Sequence, residues 1–156
     1  MRALLQELGL ESWLKTTGGK GLHLFVPVRP QHDYETVKAF TEAVVQHMAR
    51  TIPQRFVAKS GPRNRVGRIF IDYLRNGWVQ STAEAYSARA RPGLAVSMPI
   101  ARDELPALTG GAHWNIVTAP QRLEKLKADP WAGYWKKKQS LAGAMKLLPG
   151  FAPVRP

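Results

Sequence analysis

The sequence predicts a mixed α/β (α+β) fold, on three observations. Two short apolar stretches rich in β-formers, Leu22–Val28 and Arg68–Leu74, read as strands. Between them Val37, Phe40, Val44 and Met48 recur at helical spacing behind Asp33. Strand and helix patterns then continue to intermix with no internal repeat and no interdomain linker. The 156 residues fit one domain, and a hydrophobic content of 44% is enough to bury a core.

Taken in order, residues 2–10 read as a short helix, with Leu4, Leu5 and Leu8 on one face and Gly9 near its end. Residues 22–28 form a strand, closed by Pro27 and Pro30. Asp33 is a natural N-cap for a helix that runs to about Arg50, where Thr51-Ile52-Pro53 stops it. Residues 59–67 are a basic loop, 68–74 the second strand, and 75–95 polar and irregular. Val96–Ile100 and Trp114–Val117 suit short strands, and Asp103–Leu108 a helical turn. Pro120 suits the start of a helix to about Lys127, and a further helix is expected over 130–139. The domain is placed at 1–145, with a loose, proline-rich tail over 146–156.

Composition narrows the function classes. Cysteine is absent, which excludes a disulfide framework and any thiolate metal site and fits a reducing, intracellular setting. No apolar run approaches a membrane span, and the first residues lack the pattern of a secretory signal. Lys and Arg number 23 against 11 acids, a net charge of +12. Such an excess concentrates polyanions and points to nucleic acid or nucleotide. The plainer alternatives are a basic surface kept for solubility or an arginine-biased genome.

Chemistry concentrates in two places. Residues 15–23 read Lys-Thr-Thr-Gly-Gly-Lys-Gly-Leu-His. Gly18, Gly19 and Gly21 let backbone amides converge on an anion, Lys20 adds charge and Thr17 a hydroxyl. The string is neither a Walker A loop nor a dinucleotide fingerprint, and a glycine-rich hairpin is the plainer reading. His23 suits a phosphate oxygen or sugar hydroxyl, or else a core hydrogen bond. The second place is Asp72, a lone acid ending an apolar stretch, suited to a divalent cation or to a salt bridge with Arg68 or Arg75. The chain contains no Asp-x-Asp. Arg63, Arg65, Arg68, Arg75, Arg89 and Arg91 offer bidentate phosphate contacts or simply a solvated basic face. Trp13, Tyr73, Trp78 and Tyr86 suit base stacking or packing.

Together these segments resemble the polymerase domain of bacterial ATP-dependent DNA ligase D, of the archaeo-eukaryotic primase superfamily. The resemblance is carried by Leu14–His23, Gly67–Asn76, Ala85–Gly93, Val96–Pro99 and Asp129–Trp131, and spans roughly residues 3–139. It implies a primase-polymerase-like mixed sheet flanked by helices. It also implies nucleotidyl transfer to DNA ends and gaps in non-homologous end joining, with NTP or dNTP as substrate and manganese or magnesium as cofactor. A Ku-type end-binding protein and a ligase domain are the implied partners, in the bacterial cytoplasm at the nucleoid. By the same resemblance Thr17 and His23 contact the nucleotide's phosphates, and Lys20 is a motif lysine. Asp72 is the third metal-binding carboxylate, and Arg65, Arg75 and Arg89 are basic active-site residues. Two departures stand out: threonine replaces the usual serine at Thr17, and Val79-Gln80-Ser81 replaces Gly-Ala-Thr. The family's Asp-x-Asp motif, its nucleotide-stacking aromatic and its template-side surface precede the glycine turn. The chain is therefore expected to correspond to about the C-terminal half of that domain, truncated on the N-terminal side, and to be catalytically incomplete by itself. The alternative is a non-catalytic module that binds nucleotide or DNA ends.

Overall fold

A computed structural model describes residues 1–152. It is mixed α/β, as expected, and its chain divides into two compact units that interleave in sequence. The first unit comprises residues 1–10, 29–81 and the described residues from 140 on; the second comprises 11–28 and 82–139.

In the first unit, α1 (Arg2–Glu7) buries Leu4 and Leu5. It ends earlier than expected because Gly9 turns left-handed at φ +72°. Helix α2 (Tyr34–Thr51) starts where its cap predicts: the Asp33 carboxylate accepts the Thr36 amide at 2.8 Å. Its buried face is Phe40, Val44, Val45 and Met48. Strands β3 (Phe56–Val57) and β4 (Ile69–Phe70) pair in parallel, a two-residue ladder where seven residues of strand were expected. The chain then tightens into a 3₁₀ turn over Leu74–Asn76. A final helix, α4 (Leu141–Leu147), is capped by the Ser140 hydroxyl. The tail expected to loosen from 146 is thus helical to Leu147, Leu148 is buried, and the Phe151 ring packs edge-on against Phe40 at 5.6 Å. Apolar side chains there find a core that composition alone does not reveal. Residues 153–156 of that tail lie outside the described residues.

The second unit is built on an antiparallel sheet ordered β2-β1-β5, where β1 is Trp13–Thr16, β2 is Leu22–Phe25 and β5 is Pro99–Ile100. The strand expected over 22–28 stops at Phe25. Its partner β1 was not read from the sequence, because four residues are too few to show alternation. Leu14, Val96, Met98, Ile100, Trp114 and Ala119 form the core of this unit, with Leu24, Leu105 and Leu108 packed on it. Residues 114–117 make only an isolated bridge, Asn115 to Ala95, rather than a strand. A 3₁₀ segment covers Arg102–Ala107, and α3 runs Thr118–Lys125 with Pro120 in its first turn, where no amide is needed. The helix expected over 130–139 does not form. Gly133 turns left-handed at φ +83°, only a 3₁₀ turn over Tyr134–Lys136 follows, and Gln139 instead bridges Val28.

One strained residue explains a departure noted in the sequence. Val79 sits at φ +60°, a conformation in which a β-branched side chain is a true outlier. It occupies the first position of the tripeptide that replaces Gly-Ala-Thr. Val79 is also largely exposed, so its side chain gains little packing in return. Val79→Gly should therefore raise stability by about 1 kcal/mol, the relief of left-handed strain exceeding the entropy cost of glycine. Urea unfolding at constant m-value checks this.

Candidate nucleotide-binding site

The Thr17–Gly21 turn is the loop of the β1–β2 hairpin, and its geometry is written by Thr17. The Thr17 amide donates to the Gly21 carbonyl at 3.1 Å. The Thr17 hydroxyl donates to the same carbonyl at 2.9 Å and accepts the Gly19 and Gly21 amides at 3.1 and 3.4 Å. The hydroxyl thus organises the turn from inside, and the amides of Gly18 and Lys20 have no acceptor among the described residues. Alternate amides are consumed within the turn and the others are left for a ligand, the arrangement that makes an anion concavity.

Backbone crowding shapes both sides of the turn. Gly18 lies at φ +61°, and a Cβ there would come within 2.7 Å of the Arg89 Cγ and 2.9 Å of the Ala95 carbonyl. A Cβ on Gly111 would fall 2.2 Å from the Gly21 carbonyl oxygen. Glycine at both places lets the 95–97 and 109–112 backbones press directly on the turn. Beside it lies an open cleft of about 300 Å³ lined by Gly19, Lys20, Thr109, Gly110, Gly111 and Ala112. Sequence reasoning missed this second wall; the Gly110-Gly111 pair was its one visible signal.

Arg89 is 72 residues from Thr17, yet its guanidinium donates to the Thr17 carbonyl at 3.2 Å. The segment holding it is pinned: the Arg89 amide donates to Ala95 at 2.8 Å, Ser97 donates to Ser87 at 2.9 Å, and Tyr86 donates to Ser97 at 2.6 Å. Tyr86 takes φ +65° to make that last bond. Lys20 is exposed at the tip of the turn. His23 is half-buried on β2, opposite Lys15 in the ladder and 6.2 Å from the Phe25 ring. The second unit therefore contains Thr17, Gly18, Gly19, Lys20, His23 and Arg89 of the predicted site.

Arg65, Asp72 and Arg75 belong to the first unit. Arg65 ends an exposed 3₁₀ turn over Pro62–Arg65. Asp72 is 41% exposed rather than buried, because β4 has already ended. One of its oxygens accepts the Leu74 amide at 2.9 Å and the other lies 3.7 Å from the Arg75 Nε. Of the two salt bridges considered, the Arg75 pair forms, while Arg68 donates to the Asn64 carbonyl at 2.9 Å. Neighbouring Tyr73 donates its phenol to Glu42 at 2.9 Å, and that bond holds its pKa up. No group of three or more His, Asp or Glu suited to a metal occurs among the described residues.

Lys15 is only 1% exposed, directly behind the turn. Its ammonium donates to the Ala83 carbonyl and, at 2.5 Å, to the Ser97 hydroxyl, and lies 5.6 Å from the Phe25 ring centre. Burial lowers its pKa, with Arg89 adding to the effect and Glu84 opposing it. The unfolded chain, at about 10.5, then binds more protons than the fold through the alkaline window below that value. Stability of the wild type relative to Lys15→Met should therefore rise as pH is taken from 8 toward 10, as paired denaturation curves would show.

Comparison with known proteins identifies the family. Residues 1–131 match the family described as LigD, primase-polymerase domain. The chain is 54% identical over 144 residues to the multifunctional non-homologous end joining protein LigD of Pseudomonas aeruginosa, covering 92% of this chain and 17% of that protein. It is 25% identical to the bifunctional non-homologous end joining protein LigD of Bacillus subtilis, over 89% of this chain and 23% of that one. The polymerase domain from Mycobacterium tuberculosis ligase D, solved in complex with DNA, superposes with a TM-score of 0.72 at 27% identity, over 80% of this chain and 43% of that one. The chain thus spans less than a quarter of these curated relatives. The glycine turn, the Asp72 segment and these matches agree: the chain belongs to the LigD primase-polymerase family.

Proposed function

We propose that this chain is the nucleotide side of a ligase-D-type repair polymerase, binding nucleoside triphosphate and DNA ends or gaps in non-homologous end joining. The observation that carries the reading is the Thr17–Gly21 turn, with unconsumed amides at Gly18 and Lys20 and Arg89 fastened to its base. Lys20, His23 and Arg89 hold the triphosphate, and Thr17 acts by shaping the turn. On the first unit, Arg65 and Arg75 offer cationic contacts of their own to a polyanion. A bound divalent cation would polarise the phosphates in transfer of a nucleotidyl group to a DNA 3′-hydroxyl with loss of pyrophosphate. Asp72 takes part in holding manganese or magnesium only together with other carboxylates. The basic charge supplies DNA affinity. A Ku-type protein and a ligase domain are the fitting partners, and the bacterial nucleoid the fitting location. Among the described residues no helix is long and apolar enough to cross a membrane.

Calorimetry of ATP binding, with and without manganese, tests the cradle. Lys20→Ala should weaken binding about tenfold, the loss of one charge-assisted contact. Metal-dependent affinity that Asp72→Ala abolishes makes the aspartate a working ligand. Binding indifferent to metal and to Asp72 leaves the non-catalytic nucleotide-binding module as the better account. The second expectation concerns turnover: the purified chain with primer-template, NTP and manganese should give no extension, and robust extension would contradict catalytic incompleteness.

A further inference from the structure

The chain contains a basic aromatic surface that the nucleotide cradle does not use. Trp135 is 81% exposed, beside Lys136, Lys137 and Lys138. An indole presented to solvent beside lysines offers a flat π-face and positive charge in one place.

Its mounting is rigid. Trp131 is buried, donates its indole N–H to the Leu14 carbonyl at 2.7 Å, and packs on Phe25 at 5.0 Å. Tyr134 lies 4.7 Å from Trp131 and 5.6 Å from Trp13. The left-handed Gly133 then turns the chain so that Lys136 and Lys137 donate their amides to the Gly133 carbonyl. Trp135 meets Tyr134 edge-on at 4.9 Å. The ring is thus displayed from an anchored 3₁₀ turn, with little ordering left to be done on binding.

The charges beside it are distributed unequally. Lys137 is paired with Glu11, whereas Lys136 is exposed and makes no ion pair with a carboxylate among the described residues. A planar π-face next to a free cation matches a ligand with exposed bases and a phosphate backbone. In duplex DNA the base faces are stacked away; in a single strand they are available.

We propose that Trp135 and Lys136 form a docking surface for single-stranded DNA, a base stacking on the indole while phosphates meet the lysine. The choice of DNA rests on the reading above; the surface itself does not. The test is fluorescence anisotropy with a labelled oligodeoxythymidylate about a dozen nucleotides long, alongside ATP calorimetry on the same variants. Trp135→Ala should weaken the oligonucleotide about tenfold and leave ATP affinity and the unfolding midpoint unchanged. Trp135→Tyr should restore most of it, and Lys136→Ala should reduce the slope of log affinity against log salt by about 0.7. Oligonucleotide affinity unchanged in Trp135→Ala overturns the proposal. If it falls in Lys20→Ala instead, the proposed function stands without this surface. Trp135-dependent DNA binding in a chain that fails to bind ATP supports the surface and removes the nucleotide cradle. Dependence on Trp135 seen only with anionic lipid vesicles overturns it in favour of a membrane contact.

Discussion

The second unit depends on a buried polar seam between β1 and the segment Ala95–Met98 that leads into β5. Thr16 exchanges four hydrogen bonds across it. Its amide donates to Met98 at 2.9 Å and its hydroxyl donates to Val96 at 3.2 Å. The same hydroxyl accepts the Met98 amide at 2.9 Å, while the Thr16 carbonyl accepts the Ser97 hydroxyl at 3.0 Å. Lys15 adds a cation to the same seam. Polar groups this deeply buried are tolerable only when each has its partners, and removing one leaves the other unsatisfied. The seam thus fixes the register in which Ala95 meets Gly18, and with it the position of Arg89. The glycine turn is held from behind by bonds that no ligand touches.

A parallel device ties β5 to α3. Arg122 forks onto Glu104 at 2.7 and 2.8 Å, donates to the Pro99 carbonyl at 3.0 Å, and lies 4.5 Å over the Trp114 ring. This pair is largely withdrawn from water, so breaking it costs far more than breaking the exposed Asp72–Arg75 contact, worth at most about 1 kcal/mol. The contrast separates scaffold from site. The scaffold's arginine is paired and shielded, while Lys20, Arg65 and Arg75 are exposed and Arg89 donates to the Thr17 carbonyl.

Among the described residues, three that are not glycine adopt positive φ: Val79, Tyr86 and Leu94. Tyr86 and Leu94 bracket the Arg89 segment, and each secures a backbone bond in exchange, Tyr86 to Ser97 and Leu94 to Arg91. Their strain is offset locally by a tight turn that brings the Arg89 guanidinium to the glycine turn. No amide bond of Val79 to a described residue offsets its strain in the same way.

The sequence by itself determined what depends on nearest neighbours and on family pattern. Asp33 and the 3.6-residue spacing of Phe40, Val44 and Met48 defined α2 almost to the residue. The glycine turn, the strand pattern around Ile69 and the arginine-bearing turns were enough to name the family. Two short strands were not legible: β1 and β3 have four and two residues, and pairing rather than propensity creates them, whereas β5 falls at the end of the stretch Val96–Ile100 read as a strand. Helical propensity over 130–139 lost to the left-handed Gly133 and to burial of Trp131, a contest that only packing decides. The bonds that the Thr17 hydroxyl makes within the turn, to Gly19 and Gly21, were not visible in the sequence. Likewise, only tertiary structure put Arg89 on the Thr17 carbonyl, Gly111 against Gly21, and Trp135 outside the aromatic cluster that anchors it. Each of these is a meeting of distant segments, and chain order does not encode distance in space.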